Sequence, residues 1–324
     1  MKNIFLLSCI SLVTLFLSAQ LPTASEIKTR ELFGSIRSGN SEDLDKLLTG
    51  SASANDSLND YSALMAATMS GTVDQMKILI SHGASVNYQN KTGLTALWLA
   101  VPDIAKTKLL LDNGADANHQ VEGFGVLAKL ASIPGTMPVF RLLMSYGADL
   151  KKTASDNTLL YNAASSGDTA VLGLLIDNGF KLNDTTFFGD FPINNALLFR
   201  QFPSLKMLVD HGADINVQPM NLINFDALVG FTPLMNAALS DDQQSFFYLL
   251  DHGANTNSKN KKGYTALILL QQSEAPDDLD MTKALLEHGA QAAYKAPDGT
   301  DALYYALRKG RTTTVELLEK YAKK

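Results

Sequence analysis

A glycine recurs along the chain at nearly constant spacing, and each time it follows a pair of bulky apolar residues. The intervals between successive copies are 31, 33, 32, 33, 41 and 36 residues, and the glycines are Gly83, Gly114, Gly147, Gly179, Gly212, Gly253 and Gly289. An asparagine stands four residues later in five copies, at Asn87, Asn118, Asn183, Asn216 and Asn257. A fixed period of this length is typical of stacked-repeat proteins, in which one unit cannot bury its apolar face alone. The sequence therefore predicts one repeat array.

The segment around Thr232 shows what one unit is expected to form. Thr232 suits the cap of a first helix, Pro233 suits its first turn, and an apolar stripe with small alanines follows at helical spacing. A second helix is expected over residues 244–251, with Phe247 in the same buried layer. Gly253 then ends that helix in the left-handed conformation. Each unit is thus a helix, a turn, a second helix and a projecting loop.

These motifs resemble those of the ankyrin repeat family, which opens on Gly-x-Thr-Pro-Leu-His and closes on Leu-Leu-x-x-Gly-Ala. The matching openings are residues 93–97, 230–234 and 263–267, and the resemblance covers residues 26–324. It implies an all-α solenoid of stacked helix-turn-helix units with projecting β-hairpin loops, in about nine repeats with degenerate first and last caps. The family histidine, which normally ties neighbouring loops together, is replaced at Met65, Trp98, Tyr161, Met235, Ile268 and Tyr304.

The first residues differ in kind from the repeats. Lys2 precedes a short apolar run that ends in small residues, a pattern typical of a secretory signal peptide. We expect residues 1–20 to be that peptide, with cleavage near Ala19 and Gln20, in a bacterial protein exported to the periplasm or secreted. The alternatives are an uncleaved N-terminal membrane anchor and lipidation of Cys9.

Composition narrows the chemistry. The net charge is −6 without a basic stripe, which argues against nucleic acid and anionic membrane surfaces as partners. Cys9 is the only cysteine, so cleavage would leave none for a disulfide, a nucleophile or a metal site. Four histidines share one repeat position near a helix C-terminus, where histidine is favourable without any metal: His82, His211, His252 and His288. We therefore expect no cofactor, no metal, no membrane span after cleavage and no enzymatic activity.

Candidate partner-binding residues follow from the repeat register. The residue just before the threonine-type opening is large and apolar or aromatic in four repeats, at Tyr61, Leu94, Phe231 and Tyr264. Phe187 and Phe188 lie in a loop between repeats. The 41-residue interval holds an insertion over residues 217–229 that includes Met220, Leu222 and Phe225. Large side chains of this kind are over-represented at interface hot spots. The alternative is that the aromatic rings pack between hairpins and that the insertion covers a neighbouring loop.

The sequence thus predicts a binding protein rather than a catalyst. We expect a monomeric scaffold of the cell envelope that holds a protein partner of unknown identity through its hairpin tips and its concave helix face. The alternative is a specific inhibitor, or an immunity protein, of a secreted or periplasmic enzyme.

Overall fold

The computed structural model describes residues 23–152, 158–186, 189–219, 229–274 and 276–323. These residues form eighteen helices in nine consecutive pairs, with two short hairpins. The predicted all-α repeat architecture is confirmed.

The helices are, in chain order, α1 (Ala24–Ser38), α2 (Ser41–Gly50), α3 (Ala63–Ser70), α4 (Val73–Ser81), α5 (Ala96–Ala100), α6 (Ile104–Asp112), α7 (Val126–Ala131), α8 (Met137–Ser145), α9 (Thr158–Ser166), α10 (Thr169–Asp177), α11 (Pro192–Leu198), α12 (Phe202–Asp210), α13 (Pro233–Ser240), α14 (Gln243–Asp251), α15 (Ala266–Gln272), α16 (Leu279–Glu287), α17 (Ala302–Arg308) and α18 (Thr312–Ala322). The strands are β1 (Ser57–Leu58), β2 (Tyr61–Ser62), β3 (Gln120–Val121) and β4 (Phe124–Gly125).

Helix α13 begins and helix α14 ends as the local sequence predicts. The Thr232 hydroxyl accepts a hydrogen bond from the Met235 amide at 3.3 Å, and this caps α13. Gly253 has φ of 86° directly after α14, the left-handed value that a glycine adopts without strain. Two details differ from the prediction: α14 begins one residue earlier than expected, and Phe246 is fully buried whereas Phe247 is only partly buried.

The chain divides into two compact units, residues 1–117 and 118–324. In the first unit, α1, α3 and α5 pack in succession, as do α2, α4 and α6. In the second unit, the first helices α7, α9, α11, α13, α15 and α17 form one layer, and the second helices from α8 to α18 form another. Within each unit, the core is continuous from one helix pair to the next, as a repeat array requires.

Hairpins with paired strands form at only two loops of the described chain. β1 pairs antiparallel with β2, and β3 with β4, in each case around two residues of positive φ. At the loop before α15, a side chain replaces one strand bond. The backbone N–H of Asn260 donates to the Tyr264 carbonyl at 3.0 Å. The backbone N–H of Tyr264 donates instead to the side-chain Oδ1 of Asn260 at 2.9 Å. The predicted hairpin is therefore a side-chain-closed turn there.

The recurring asparagine links neighbouring repeats within each unit. Asn257 Nδ2 donates to the Gly289 carbonyl at 2.8 Å, and its Oδ1 accepts from the Gln291 amide at 3.0 Å. The same pair of bonds recurs at Asn87 in the first unit and at Asn118 in the second. These asparagines supply an inter-repeat tie within each unit despite the missing family histidine.

Candidate partner-binding site

The four large residues predicted before the helix openings differ in their exposure. Tyr61 and Leu94 are half-buried. Phe231 is 5% exposed and Tyr264 is 7% exposed, so these two predicted contact residues offer little accessible surface. For Tyr264, contact with the next repeat, the alternative from the sequence, is what the structure shows. Partner contact at Tyr61 and Leu94 stays a prediction.

Tyr264 is buried because the following repeat covers it and pairs its hydroxyl. Its Oη donates to Oδ2 of Asp298 at 2.5 Å and lies 3.2 Å from Oη of Tyr305. Tyr294 closes over the same loop and donates to the Gly263 carbonyl at 3.0 Å. The hydrogen bond from Tyr264 lowers the pKa of the Asp298 carboxyl, with further help from Thr300. This ring therefore stabilises the array.

The other predicted contact residues lie outside the described residues: Phe187, Phe188, Met220, Leu222 and Phe225. The structure does describe the base of the insertion. The Gly230 amide donates to the Pro219 carbonyl at 2.7 Å, and Gln218 Nε2 donates to the Gly230 carbonyl at 2.8 Å. The two ends of the insertion are thus held together at Pro219 and Gly230.

An exposed apolar group instead lies at the ends of two adjoining first helices. Leu198 ends α11 and is 61% exposed, Phe199 follows it at 56%, and Leu239 of α13 is 38% exposed. Sequence reasoning missed these residues, although a signal existed. Leu198 stands five residues after the buried Ile193, and Leu239 stands five residues after the buried Leu234.

Two other repeats of the same unit place a polar residue at that register position, whereas Met69 fills it in the first unit. Ser165 follows Leu160 by five residues, and Gln272 follows Leu267 by five. A leucine at a position that the repeat can fill with serine or glutamine is not needed for the core. Its presence in α11 and α13 therefore indicates a surface with another use.

A pocket of about 170 Å³ lies between these two helices. Its walls combine apolar side chains with a carboxylate and two amides: Asp190, Asn194, Leu197, Leu198, Pro219, Asn236, Leu239 and Ser240. Pro219 places the base of the insertion at the edge of the pocket. Apolar walls with a few placed polar groups are the usual composition of a binding pocket.

Asp190 is the charged group of this pocket, and α11 positions it. Its Oδ1 accepts from the backbone N–H of Phe191 at 2.8 Å and from Asn194 Nδ2 at 3.0 Å, so it is held beside the start of α11. Tyr161 of α9 donates to Oδ2 at 3.4 Å. Burial raises the pKa of the Asp190 carboxyl, and these three hydrogen bonds oppose the rise. Burial, and then the charge of Asp190, raise the pKa of Tyr161.

The histidines at the shared repeat position make local contacts. Nδ1 of His211, His252 and His288 lies 2.7 to 2.8 Å from the carbonyl oxygen four residues earlier in its own helix. His82 instead approaches Oδ1 of Asp45 at 2.9 Å. These contacts fit the interpretation that the histidines complete helix ends. Across the described ranges, no three metal-binding side chains form a cluster.

The longest described helix, α1, has 15 residues. Within the part of the chain that the structure covers, no helix has the length and apolar character needed to cross a membrane.

The stacked helix pairs and their asparagine ties define a helical repeat protein. A sequence model of the family described as ankyrin repeats (3 copies) matches residues 32–121, 128–219 and 234–324. The chain therefore belongs to the ankyrin repeat family. Ankyrin repeats indicate a protein–protein interaction scaffold, and the family is typically non-enzymatic.

Three relatives show how far the similarity extends. An ankyrin repeat protein of fowlpox virus is 28% identical over 174 residues, which is 52% of this chain and 39% of the relative. An ankyrin repeat protein of Acanthamoeba polyphaga mimivirus is 30% identical over 156 residues, 45% of this chain and 20% of the relative. Ankyrin repeat and SOCS box protein 6 of Homo sapiens is 30% identical over 142 residues, 40% of this chain and 33% of the relative.

The chain thus matches less than half the length of each of these relatives. They are viral and human proteins, so they give no support to the bacterial origin expected from the first residues.

Proposed function

We propose that this chain is a non-enzymatic scaffold that binds a protein partner. The partner contacts the face formed by α11 and α13 and the loops that adjoin it. The exposure of Leu198, Phe199 and Leu239 around a pocket is the observation that carries the proposal. Apolar side chains grouped on a surface mark sites that a partner covers. Large apolar anchors near a pocket are the kind of residues that dominate binding energy.

The proposal includes the location and state of the chain. Residues 1–20 direct export, and the remaining chain acts as a monomer in the periplasm or outside the cell. The charged start, apolar run and small-residue exit of this segment support the proposal of export. These residues lie outside the described part of the chain.

The test compares capture of proteins from the envelope fraction by the wild-type chain and by a Leu198→Ser, Phe199→Ser variant. Loss of one captured protein by the variant, with an unchanged circular dichroism spectrum, is the expected result. Ile104→Ser is the matched control, because Ile104 is 50% exposed at the start of the second helix α6. Equal capture by all three chains would contradict the proposed face. Inhibition of a captured enzyme would identify the inhibitor role.

A further inference from the structure

The pocket between α11 and α13 holds a carboxylate in mainly apolar surroundings. Asp190 accepts hydrogen bonds from an amide, a backbone N–H and a phenol, all of them neutral donors. Among the described residues, no lysine or arginine lies within ion-pair distance of it. Burying a carboxylate partly without a cation costs free energy, so a positively charged ligand group would stabilise this site.

The amide beside this carboxylate is also incompletely paired. Asn194 lines the pocket and is 4% exposed. Its Nδ2 donates to Asp190, but within the described residues its Oδ1 has no hydrogen-bond partner. Buried side-chain oxygens in proteins nearly always have a donor. A deficit of donors therefore accompanies the deficit of positive charge.

Arg200, on the turn after α11, does not pair with Asp190. Arg200 follows α11 and donates from Nη2 to the Ser240 carbonyl at the edge of the pocket. That bond directs its guanidinium to the end of α13.

The apolar walls of the pocket indicate that the ligand group also has an apolar part. Leu197, Leu198 and Leu239 line the space beside Asp190. The pocket volume of about 170 Å³ exceeds that of several water molecules, at roughly 30 Å³ each. Lysine and arginine carry a charged group on a long aliphatic stem that packs on apolar surface. Acidic or purely apolar side chains would leave Asp190 repelled or unpaired.

We propose that the Asp190 pocket receives one lysine or arginine side chain from a peptide segment of the protein partner. The stem packs on Leu198 and Leu239, and the charged group binds Asp190. A neighbouring apolar residue of the same segment covers Phe199. This inference rests on the proposed function and specifies the chemistry of the partner.

The test selects a random displayed peptide library on the purified full chain and measures the affinity of the selected peptides. We expect selected peptides to share a lysine or arginine next to an apolar residue. Asp190→Asn should weaken their binding by about tenfold or more, since a hydrogen-bonded charge pair contributes at least that much. Asp251→Asn is the control, because it removes an exposed carboxylate of α14 in the same unit and should leave binding unchanged.

A change in the peptide keeps the test valid if Asp190→Asn does not fold. Replacing the selected lysine by norleucine keeps the stem and removes the charge, and should weaken binding to the wild-type chain by a similar factor. Selected peptides that lack a cation, or that bind Asp190→Asn equally well, would overturn this inference while leaving the proposed function intact. A folded chain that selects no peptide sensitive to Leu198→Ser, or that dimerises through this face, would overturn both.

Discussion

The hydroxyl of Tyr264 donates a 2.5 Å hydrogen bond to Oδ2 of Asp298, a residue 34 positions further along the chain. One repeat therefore pairs with the next through a tyrosine and a carboxylate, next to the asparagine ties. Tyr305 joins the same group, with its ring centre 6.4 Å from that of Tyr264.

Tyr264→Phe should lower the free energy of unfolding by about 1–2 kcal/mol, because it removes one hydrogen bond to a charged group and keeps the ring. Urea unfolding followed by circular dichroism measures this change. Tyr304→Phe is the control, since Tyr304 is 46% exposed and should give a change near zero. Equal effects of the two substitutions would show that the bond to Asp298 contributes nothing.

The contribution of this pair should depend on pH. The folded chain lowers the pKa of Asp298, first through the bond from Tyr264. The stabilisation is therefore fully present above the ordinary carboxyl pKa of roughly 4, and it is lost as pH falls through the lower folded pKa. The difference in unfolding free energy between wild type and Tyr264→Phe should shrink on acidification. A difference that stays constant down to the acid unfolding transition would contradict the pairing.

Asn257→Ala should lower the unfolding free energy by about 1 kcal/mol or more, because it removes both hydrogen bonds to the following repeat. Asn178→Ala is matched to it. Asn178 is exposed and donates to the Leu174 carbonyl of its own helix at 2.7 Å, not to another repeat. Denaturant titration should therefore show the smaller loss for Asn178→Ala. The reverse order would mean that the inter-repeat bonds are not the stabilising ones.

Gly263→Ala should destabilise the chain more than Gly253→Ala. Both glycines have positive φ, of 80° and 86°, so each substitution carries a strain of about 1 kcal/mol. An added Cβ at Gly263 would lie 2.4 Å from Cδ of Pro297, whereas at Gly253 it would meet nothing within 4 Å. The clash should lower the free energy of unfolding of Gly263→Ala by about 1–3 kcal/mol more than that of Gly253→Ala. Thermal melting of the two variants should show this as a lower melting temperature for Gly263→Ala. Matching melting temperatures would show that the loop around Pro297 yields.

A fusion of residues 1–25 to a reporter enzyme should be exported and shortened, because the segment has the three parts of a signal peptide. Cell fractionation and mass spectrometry of the product measure location and cleavage. A Cys9→Ala fusion is the control for lipidation. Retention of the full-length fusion in the cytoplasm would rule out export by this segment.

The helices could be predicted because their determinants are local. The Thr232 cap, Pro233 and the left-handed Gly253 act within a few residues, and the left-handed glycine after the second helix recurs from unit to unit. The burial of Tyr264 could not be predicted in this way, because the residues that contact it, Asp298 and Tyr305, lie one repeat further along. Its position before the helix cap indicated a large side chain but not which neighbour it meets.

The proposed binding face could be predicted from the sequence only in part. Leu198 and Leu239 stand where Ser165 and Gln272 stand in neighbouring repeats, so comparing those aligned repeats would have pointed to them. Asp190 is different, because its pairing with Asn194 and Tyr161 depends on how α9 and α11 stack. No spacing rule in one repeat contains that information.

The asparagine ties bind main-chain atoms only: Asn257 meets the carbonyl of Gly289 and the amide of Gln291. A contact with the main chain requires a turn of the right shape in the neighbouring repeat, but it does not require particular side chains there. Copies of such a unit can therefore be duplicated, lost or exchanged between genes and still dock at the new junction. The surface residues of each copy are then free to diverge, so a lineage can rebuild its binding face one repeat at a time.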